Sequence, residues 1–339
     1  MRALVLAAGY GTRLWPLTAD RTKPAVPFLG RPLVVHALAA LARLGVSEAA
    51  VNVHYRPESV RAALRDLPAG LPRVRVSEEP EILGTAGAMD PLRDFLGAGP
   101  FVLMNGKVVC DLDLAPVVEA HRRARALATL VLVENHRREP FREVLVGEGG
   151  RLAGFGAMPD RSSAGPVPLA FTGIQLLDPA VLDYVPRGRA SDTVRDVYPR
   201  ALADGRTLLG LVARGAWGDP STPRRYLDAH LAVRPAGFVA GTAVVEEGAR
   251  VDRAVLWDRA RVEAGAVVED AVVGEGAVVP AGVRIAGGVA VRAGVAEATP
   301  DPLAGNGRAP RGRRVGDLLV VPFDDAGEAD RAAAPGRRP

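Results

Sequence analysis

Four residues near the amino terminus combine backbone freedom with positive charge at short spacing: Gly9, Gly11, Arg13 and Lys23. Glycine at 9 and 11 lets the chain turn sharply and lets its backbone approach a ligand that a side chain would hold off. Successive backbone N–H groups in such a turn make a nest for an anion. Arg13 adds a fixed cation whose fork of donors suits phosphate oxygens. Lys23, between Thr22 and Pro24, adds a second charge. Leu6, Ala7, Ala8 and Thr12 supply the rest of the loop backbone. Two glycines and two cations just beyond an apolar run suit a nucleoside triphosphate, whose charge must be neutralised before phosphoryl transfer. The loop is neither a G-x-G-x-x-G fingerprint, since Leu14 stands at the third glycine position, nor a Walker A motif.

The elements that must position this loop follow from hydrophobic spacing. Ala3–Ala8 reads as a buried first strand. Residues 32–44 carry apolar side chains at Leu33, Val34, Ala37, Leu38, Leu41 and Leu44, the spacing of a helix that Gly45 ends. Ala49–Val53, Val74–Val76, Phe101–Met104 and Ala128–Val133 read as strands, with helices at Pro57–Leu64 and Leu114–Ala126. Strands alternating with helices predict an α/β fold with a doubly wound, mostly parallel sheet over residues 1–235. Such sheets bind ligands at the carboxyl ends of their strands.

Beyond Gly241 the pattern changes. Val245, Val251 and Trp257 step by six, and after a shift so do Val267, Val273, Val279 and Ile285. A six-residue period with one inward apolar side chain predicts a parallel β-helix over residues 241–299, two to three coils long at about three units per coil. Residues 300–339 form a tail rich in Pro, Gly, Arg and Asp, expected to be disordered over Asp324–Pro339. Its apolar run Leu318–Phe323 is a candidate for a final docked strand.

The string LAAGYGTRLWPLT, followed by KPAVP at Lys23–Pro27, resembles the signature of the sugar-1-phosphate nucleotidyltransferases that make nucleotide sugars, including mannose-1-phosphate guanylyltransferase-like members. VNVHY at Val51–Tyr55 is similar to the family's second strand, and EPEILGTAGAM at Glu79–Met89 to its nucleobase-contacting segment. FTGIQLL at Phe171–Leu177 resembles its sugar-binding strand, and WGDPSTPRRY at Trp217–Tyr226 its closing motif. The resemblance implies a Rossmann-like, GT-A-like mixed sheet followed by a short left-handed parallel β-helix. It also implies attack of a sugar 1-phosphate on the α-phosphorus of an NTP. Arg13 and Lys23 would be catalytic. Glu79, Gly84 and Thr85 would join the loop in holding the nucleotide, and Asn105 and Gly173 would lie against the sugar. A divalent ion, Mg²⁺, would bridge phosphate oxygens between two carboxylates.

One carboxylate of that metal pair is present as Asp219, but at the other position, in the family's N-G-D motif, stands Lys107. A protonated ammonium cannot coordinate a metal. Three readings stand open. The chain is a catalytically degenerate nucleotide-sugar-binding regulator; or the ammonium sits in the metal's place and pairs with Asp219 and a phosphate; or Asp111 or Asp113 supplies the missing ligand. Against all three, Lys107 simply points to solvent. Asp113 also suits the N-cap of the helix that follows. A second departure is Met158, where many relatives carry a lysine for the sugar phosphate.

Composition bounds the rest. Across 339 residues the 48% hydrophobic content supports a large core, and a net charge of +4 from scattered arginines implies no nucleic-acid partner. The single Cys110 excludes an internal disulfide and suits a cytoplasmic protein. No apolar run reaches the length of a membrane span, so no membrane partner is expected. His36, His54, His121, His136 and His230 lack zinc spacing and read as structural. The β-helix segment holds no histidine for acetyl transfer and is expected to join copies into a homo-oligomer.

Overall fold

The computed structural model describes residues 1–298 and 312–323. Its central sheet is built in chain order from β1 (Arg2–Leu6), β2 (Glu48–Val53), β3 (Arg73–Glu78), β4 (Phe101–Asn105), β5 (Ala128–Glu134), β6 (Leu169–Leu177) and β7 (Leu208–Val212). In space the order is β7-β5-β6-β4-β1-β2-β3. Every neighbouring pair is parallel except those of β6, which runs antiparallel to β4 and to β5. The sheet is therefore mixed, as the resemblance implies. The main helices are α1 (Leu33–Arg43), α2 (Pro57–Ala63), α3 (Ala115–Ala124) and α4 (Pro223–Val233).

The strands are near-continuous apolar runs because both faces of the sheet are covered. Ala3, Val5, Val51, Val102 and Met104 pack on Val34, Leu38 and Leu41 of α1. Leu4, Leu103, Leu130 and Leu132 pack on the other face with Met89, Leu96 and Tyr198. Each buried Val, Leu or Met among them contributes about 1.5–3 kcal/mol relative to exposure. The stop of α1 follows from Gly45, whose φ of 77° suits glycine. Its N–H donates to the Ala42 carbonyl, and the Val46 N–H to that of Leu41, which is a Schellman motif. Strand order reverses at β1, which has β2 on one side and β4 on the other. The crevice at their carboxyl ends is where such a fold binds ligands.

The C-terminal region is a parallel coil. Gly237 pairs with Ala254, Val244 with Arg261 and Arg250 with Val267, so each turn advances 17 residues. Three inward ladders run through it: Val239, Leu256, Val273 and Ala290; Val245, Val262 and Val279; Val251, Val268 and Ile285. The inward spacing is thus six, six and five, which corrects two positions of the six-residue pattern. Leu256 and Val268 point inward, whereas Val267 is only half-buried and Trp257 packs outward on α4. At the open first turn Val239 and Val245 stay 44% and 41% exposed, because no earlier turn covers them. The far end is closed by Leu318–Pro322, antiparallel to Arg284–Arg292, with Leu318 and Val320 in the coil's core. The expected disorder of Asp324–Pro339 concerns residues outside those described, as do most of the residues between the coil and that strand.

One apolar cluster joins the two parts. Leu14, Leu17, Val26 and Phe28, which flank the phosphate-type loop, pack with Tyr226 of α4 and with Val255, Trp257, Val272 and Val289 of the coil. No helix among the described residues is long and apolar enough to cross a membrane.

Candidate functional site

At the end of β1 the chain is tied to β2 by the Ala7 N–H, which donates to Asn52 Oδ1 at 2.7 Å. The loop then turns through Gly11, at φ 69°. A Cβ at Gly11 would stand 3.1 Å from Lys23 Cβ and 3.3 Å from Thr18 Cγ2, so this glycine seats Lys23. Thr18 and Thr22 donate their hydroxyls to the Gly11 and Gly9 carbonyls, both at 3.1 Å, and tie the two limbs of the loop together. At Gly9 no atom lies within 4 Å of the Cβ position, leaving the backbone open to a ligand.

Above the loop lies a cleft of about 290 Å³. Leu6, Ala7, Ala8, Gly9, Gly11, Lys23, Glu79, Gly84, Thr85, Asn105 and Lys107 line it, eleven residues that sequence reasoning had assigned to a site. Asn52, Ile82 and Pro24 also line it and were not singled out. Asn52 had a signal, a lone amide within the apolar strand AAVNV. It orients Glu79 by donating to Oε1 at 2.7 Å, while Oε2 of Glu79 accepts from the Leu83 N–H at 3.0 Å.

Lys107 reaches the cleft because Gly106 passes tightly under β1. The Gly106 N–H donates to the Leu6 carbonyl at 2.9 Å, and a Cβ there would stand 2.9 Å from that same oxygen. Asp219 arrives through a short antiparallel ribbon of Val109–Cys110 with Trp217–Gly218, in which Gly218 lies opposite Val109. That register sets the Asp219 carboxylate against the Lys107 ammonium in an ion pair, with side chains 6% and 21% exposed. The solvent-pointing alternative for Lys107 is excluded by this pairing.

The charges interact strongly. Burial pushes the Lys23 ammonium well below its usual range; Lys107, Arg13 and Arg225 push the same way and Asp219 opposes them. Lys107 is lowered by burial and partly restored by Asp219. Burial alone would raise the Asp219 carboxyl, but Lys107, then Lys23 and Arg13, outweigh it and hold it at about 2. Arg13 itself is exposed beside the cleft. Arg225 stands between Ser221, Glu139 and the ring of Phe141.

The residues present do not fit a two-carboxylate Mg²⁺ site. Asp219 is engaged by an ammonium, and its Oδ1 is buried without a hydrogen-bond partner. Among the described residues no three His, Cys, Asp or Glu side chains converge on a common point. Asp111 does different work: its carboxylate accepts from the Ala216 N–H and fixes the 214–216 turn. Asp113 accepts from the Ala115 N–H at the start of α3.

Three further positions gain a physical role. Gly84 has φ +75°, and a Cβ there would meet the Ser191 carbonyl at 2.6 Å, so its smallness serves contact with protein. Thr85 joins the same segment, donating to Asp192 Oδ2 at 3.1 Å and accepting from the Thr193 N–H at 2.9 Å. At Gly173, which the resemblance places against the sugar, a Cβ would lie 2.2 Å from Asn105 Nδ2, so the missing side chain makes room for the Asn105 amide, which lines the cleft. Met158 is exposed. His36, His54, His121 and His230 each bond a backbone or hydroxyl oxygen, while His136 lies at the surface beside Glu134.

A mixed, doubly wound sheet with a glycine-turned, lysine-lined cleft at its switch point defines an α/β fold of the nucleotide-binding type. Residues 2–235 match the nucleotidyl transferase family model, and the chain belongs to that family. It is similar to probable mannose-1-phosphate guanylyltransferase 3 of Oryza sativa subsp. japonica, 33% identical over 232 residues, covering 67% of this chain and 63% of the relative. Mannose-1-phosphate guanylyltransferase 1 of Arabidopsis thaliana is 32% identical with the same coverage. The match thus spans 63% of the length of these relatives. Among solved structures, HddC from Yersinia pseudotuberculosis complexed with GMP-PN shares the fold, with a TM-score of 0.59 and 20% identity over 69% of this chain and 99% of that one.

Proposed function

We propose that the protein transfers a nucleoside monophosphate from an NTP to a sugar 1-phosphate, with GTP and mannose 1-phosphate as the pair. The observation that carries this reading is the cleft at the ends of β1 and β4, where Gly9 leaves backbone open and Lys23 and Lys107 present charge. The choice of base and sugar rests on the names of the curated relatives.

In this reading a phosphate oxygen of the sugar 1-phosphate attacks the α-phosphorus. The bond to the bridging β-oxygen breaks, and pyrophosphate leaves with the electron pair. Lys23 and Lys107 neutralise the phosphates, and exposed Arg13 meets the departing charge. Glu79 and the 83–85 backbone face the nucleobase, and Asn105, backed by Gly173, faces the sugar. Pyrophosphate release with GTP and mannose 1-phosphate, compared with other NTP and sugar 1-phosphate pairs, tests the assignment. Release with none of them would overturn it.

A second reading, a nucleotide-sugar-binding regulator without turnover, is favoured by one observation, the Lys107–Asp219 pair in place of two carboxylates. Nucleotide-sugar binding without pyrophosphate release would select it. The wider reading includes residues 1–235 and 241–299 as separate domains, a left-handed sense for the coil and a cytoplasmic location. It also includes a homo-oligomer joined through the coil, which exposed Val239, Val244, Val245 and Val278 support.

A further inference from the structure

A divalent ion at a triphosphate site does two things: it offsets negative charge, and it fixes the geometry of the phosphate oxygens. Both need a cation anchored to the protein at the floor of the cleft. Here that anchor is occupied. The Lys107 ammonium is bonded to Asp219 Oδ2, and Lys107 lines the cleft whereas Asp219 does not. The second carboxylate oxygen, Oδ1, is buried, so an ion approaching Asp219 from the cleft meets the ammonium first. The Lys107 backbone is fixed as well, because Gly106 is bonded to the Leu6 carbonyl directly beneath the loop.

Charge balance points the same way. Lys23, Lys107, Arg13 and Arg225 act on one another around Asp219. Glu79, a carboxylate that does line the cleft, has both oxygens engaged by Asn52 and the Leu83 N–H. With the Asp219 carboxylate counted, Lys107 already neutralises the anchor that an ion would otherwise have to neutralise.

Resting on the functional reading above, we propose that Lys107 is the built-in counter-cation of this cleft, tethered by Asp219 where a divalent ion would stand, so that the triphosphate group binds without a divalent metal. Lys107 and Lys23 supply two charges from fixed positions, and Asp219 acts as a positioning residue that orients the Lys107 ammonium.

Calorimetric titration of the full chain with GTP, ATP, UTP, CTP and dTTP in turn, in chelator and in excess Mg²⁺, tests this. The wild type is expected to bind its nucleotide in chelator, and no more tightly in excess Mg²⁺, because the ion complexes the free triphosphate and competes with Lys107 for its oxygens. Lys107→Asp is expected to weaken binding in chelator by at least about 30-fold, the effect of losing one partner of a buried charge pair. Mg²⁺ is expected to restore that loss. Mn²⁺ alone, read by electron paramagnetic resonance, is expected to bind Lys107→Asp and not the wild type. Wild-type binding that vanishes in chelator, or Mn²⁺ held by the wild type, overturns the proposal while leaving the functional reading intact; these two measurements need no variant to fold. Lys107→Met binding as tightly as wild type in chelator also overturns it. Failure to bind any nucleotide in either buffer overturns the functional reading itself.

Discussion

Lys107 and Asp219 stand 112 positions apart in the chain and meet as an ion pair at the cleft, Lys107 forming part of its lining. Two constraints bring them together: the Gly106 contact with Leu6, and the ribbon register that sets Gly218 opposite Val109. The pair converts what the family resemblance marks as a metal position into a cationic one.

Lys23 is 7% exposed and sits under the open part of the loop. Lys23→Met keeps the stem and removes the charge. Its pyrophosphate release is expected to fall about 100- to 1,000-fold, the effect of deleting one preorganised donor to a developing charge. Arg13→Ala, at an exposed position, is expected to lose less. Steady-state rates on both variants check the order.

Gly11 and Gly45 both adopt positive φ, yet substitution is expected to differ in kind. A Cβ at Gly45 meets nothing within 4 Å, so Gly45→Ala carries backbone strain alone, about 1–2 kcal/mol, with activity unchanged. A Cβ at Gly11 presses on Lys23, so Gly11→Ala adds a shifted lysine to a similar strain. Thermal unfolding and nucleotide binding, measured together on both variants, separate the two effects.

Gly173→Ala places a methyl on the Asn105 amide and is expected to swing that amide into the cleft. The expected signature is a raised KM for the sugar phosphate with a smaller change in the Kd for nucleotide.

Tyr226 links the two parts of the fold. Its hydroxyl donates to the Pro27 carbonyl and accepts from Trp257 Nε1 at 2.8 Å. Tyr226→Phe removes both bonds and leaves the Pro27 carbonyl and the indole N–H unpartnered. A loss of about 1–3 kcal/mol is expected in denaturant unfolding.

His230 is held neutral. Its Nδ1–H donates to the Tyr226 carbonyl and its Nε2 accepts from the Leu29 N–H. Burial lowers its pKa from the ordinary 6.5 to about 4, partly opposed by the Tyr226 bond and assisted by His36. Above pH 6.5 folded and unfolded states are both neutral there, and its contribution to stability is complete. As pH falls from 6.5 towards 4 the unfolded chain binds a proton that the folded one refuses. Up to about 3 kcal/mol is lost across that window. Unfolding midpoints of the wild type and His230→Gln at pH 7.5 and 5 check this: the variant is expected to lose less stability between the two.

Much of this protein was legible in the chain. The loop from Gly9 to Lys23 is contiguous, so its turning residues and charges declare themselves side by side. The strands and α1 follow from apolar spacing, and Gly45 marks the stop of α1 by its own conformational freedom. Other features depend on partners distant in sequence. The coil's inward residues fall at six, six and five, so a strict count of six assigns Trp257 where Leu256 belongs. Trp257 is buried all the same, because α4 brings Tyr226 against it. Gly84 and Gly173 are recognisable as required glycines, but the atoms that require them, the Ser191 carbonyl and the Asn105 amide, are set by loop packing. Sequence by itself determined a nucleotidyl transferase fold with a cationic loop, and identified Lys107 as a departure from the family pattern. Tertiary structure alone decided what that lysine faces, because the partner of a side chain is fixed by long-range strand register, which leaves no trace in local spacing.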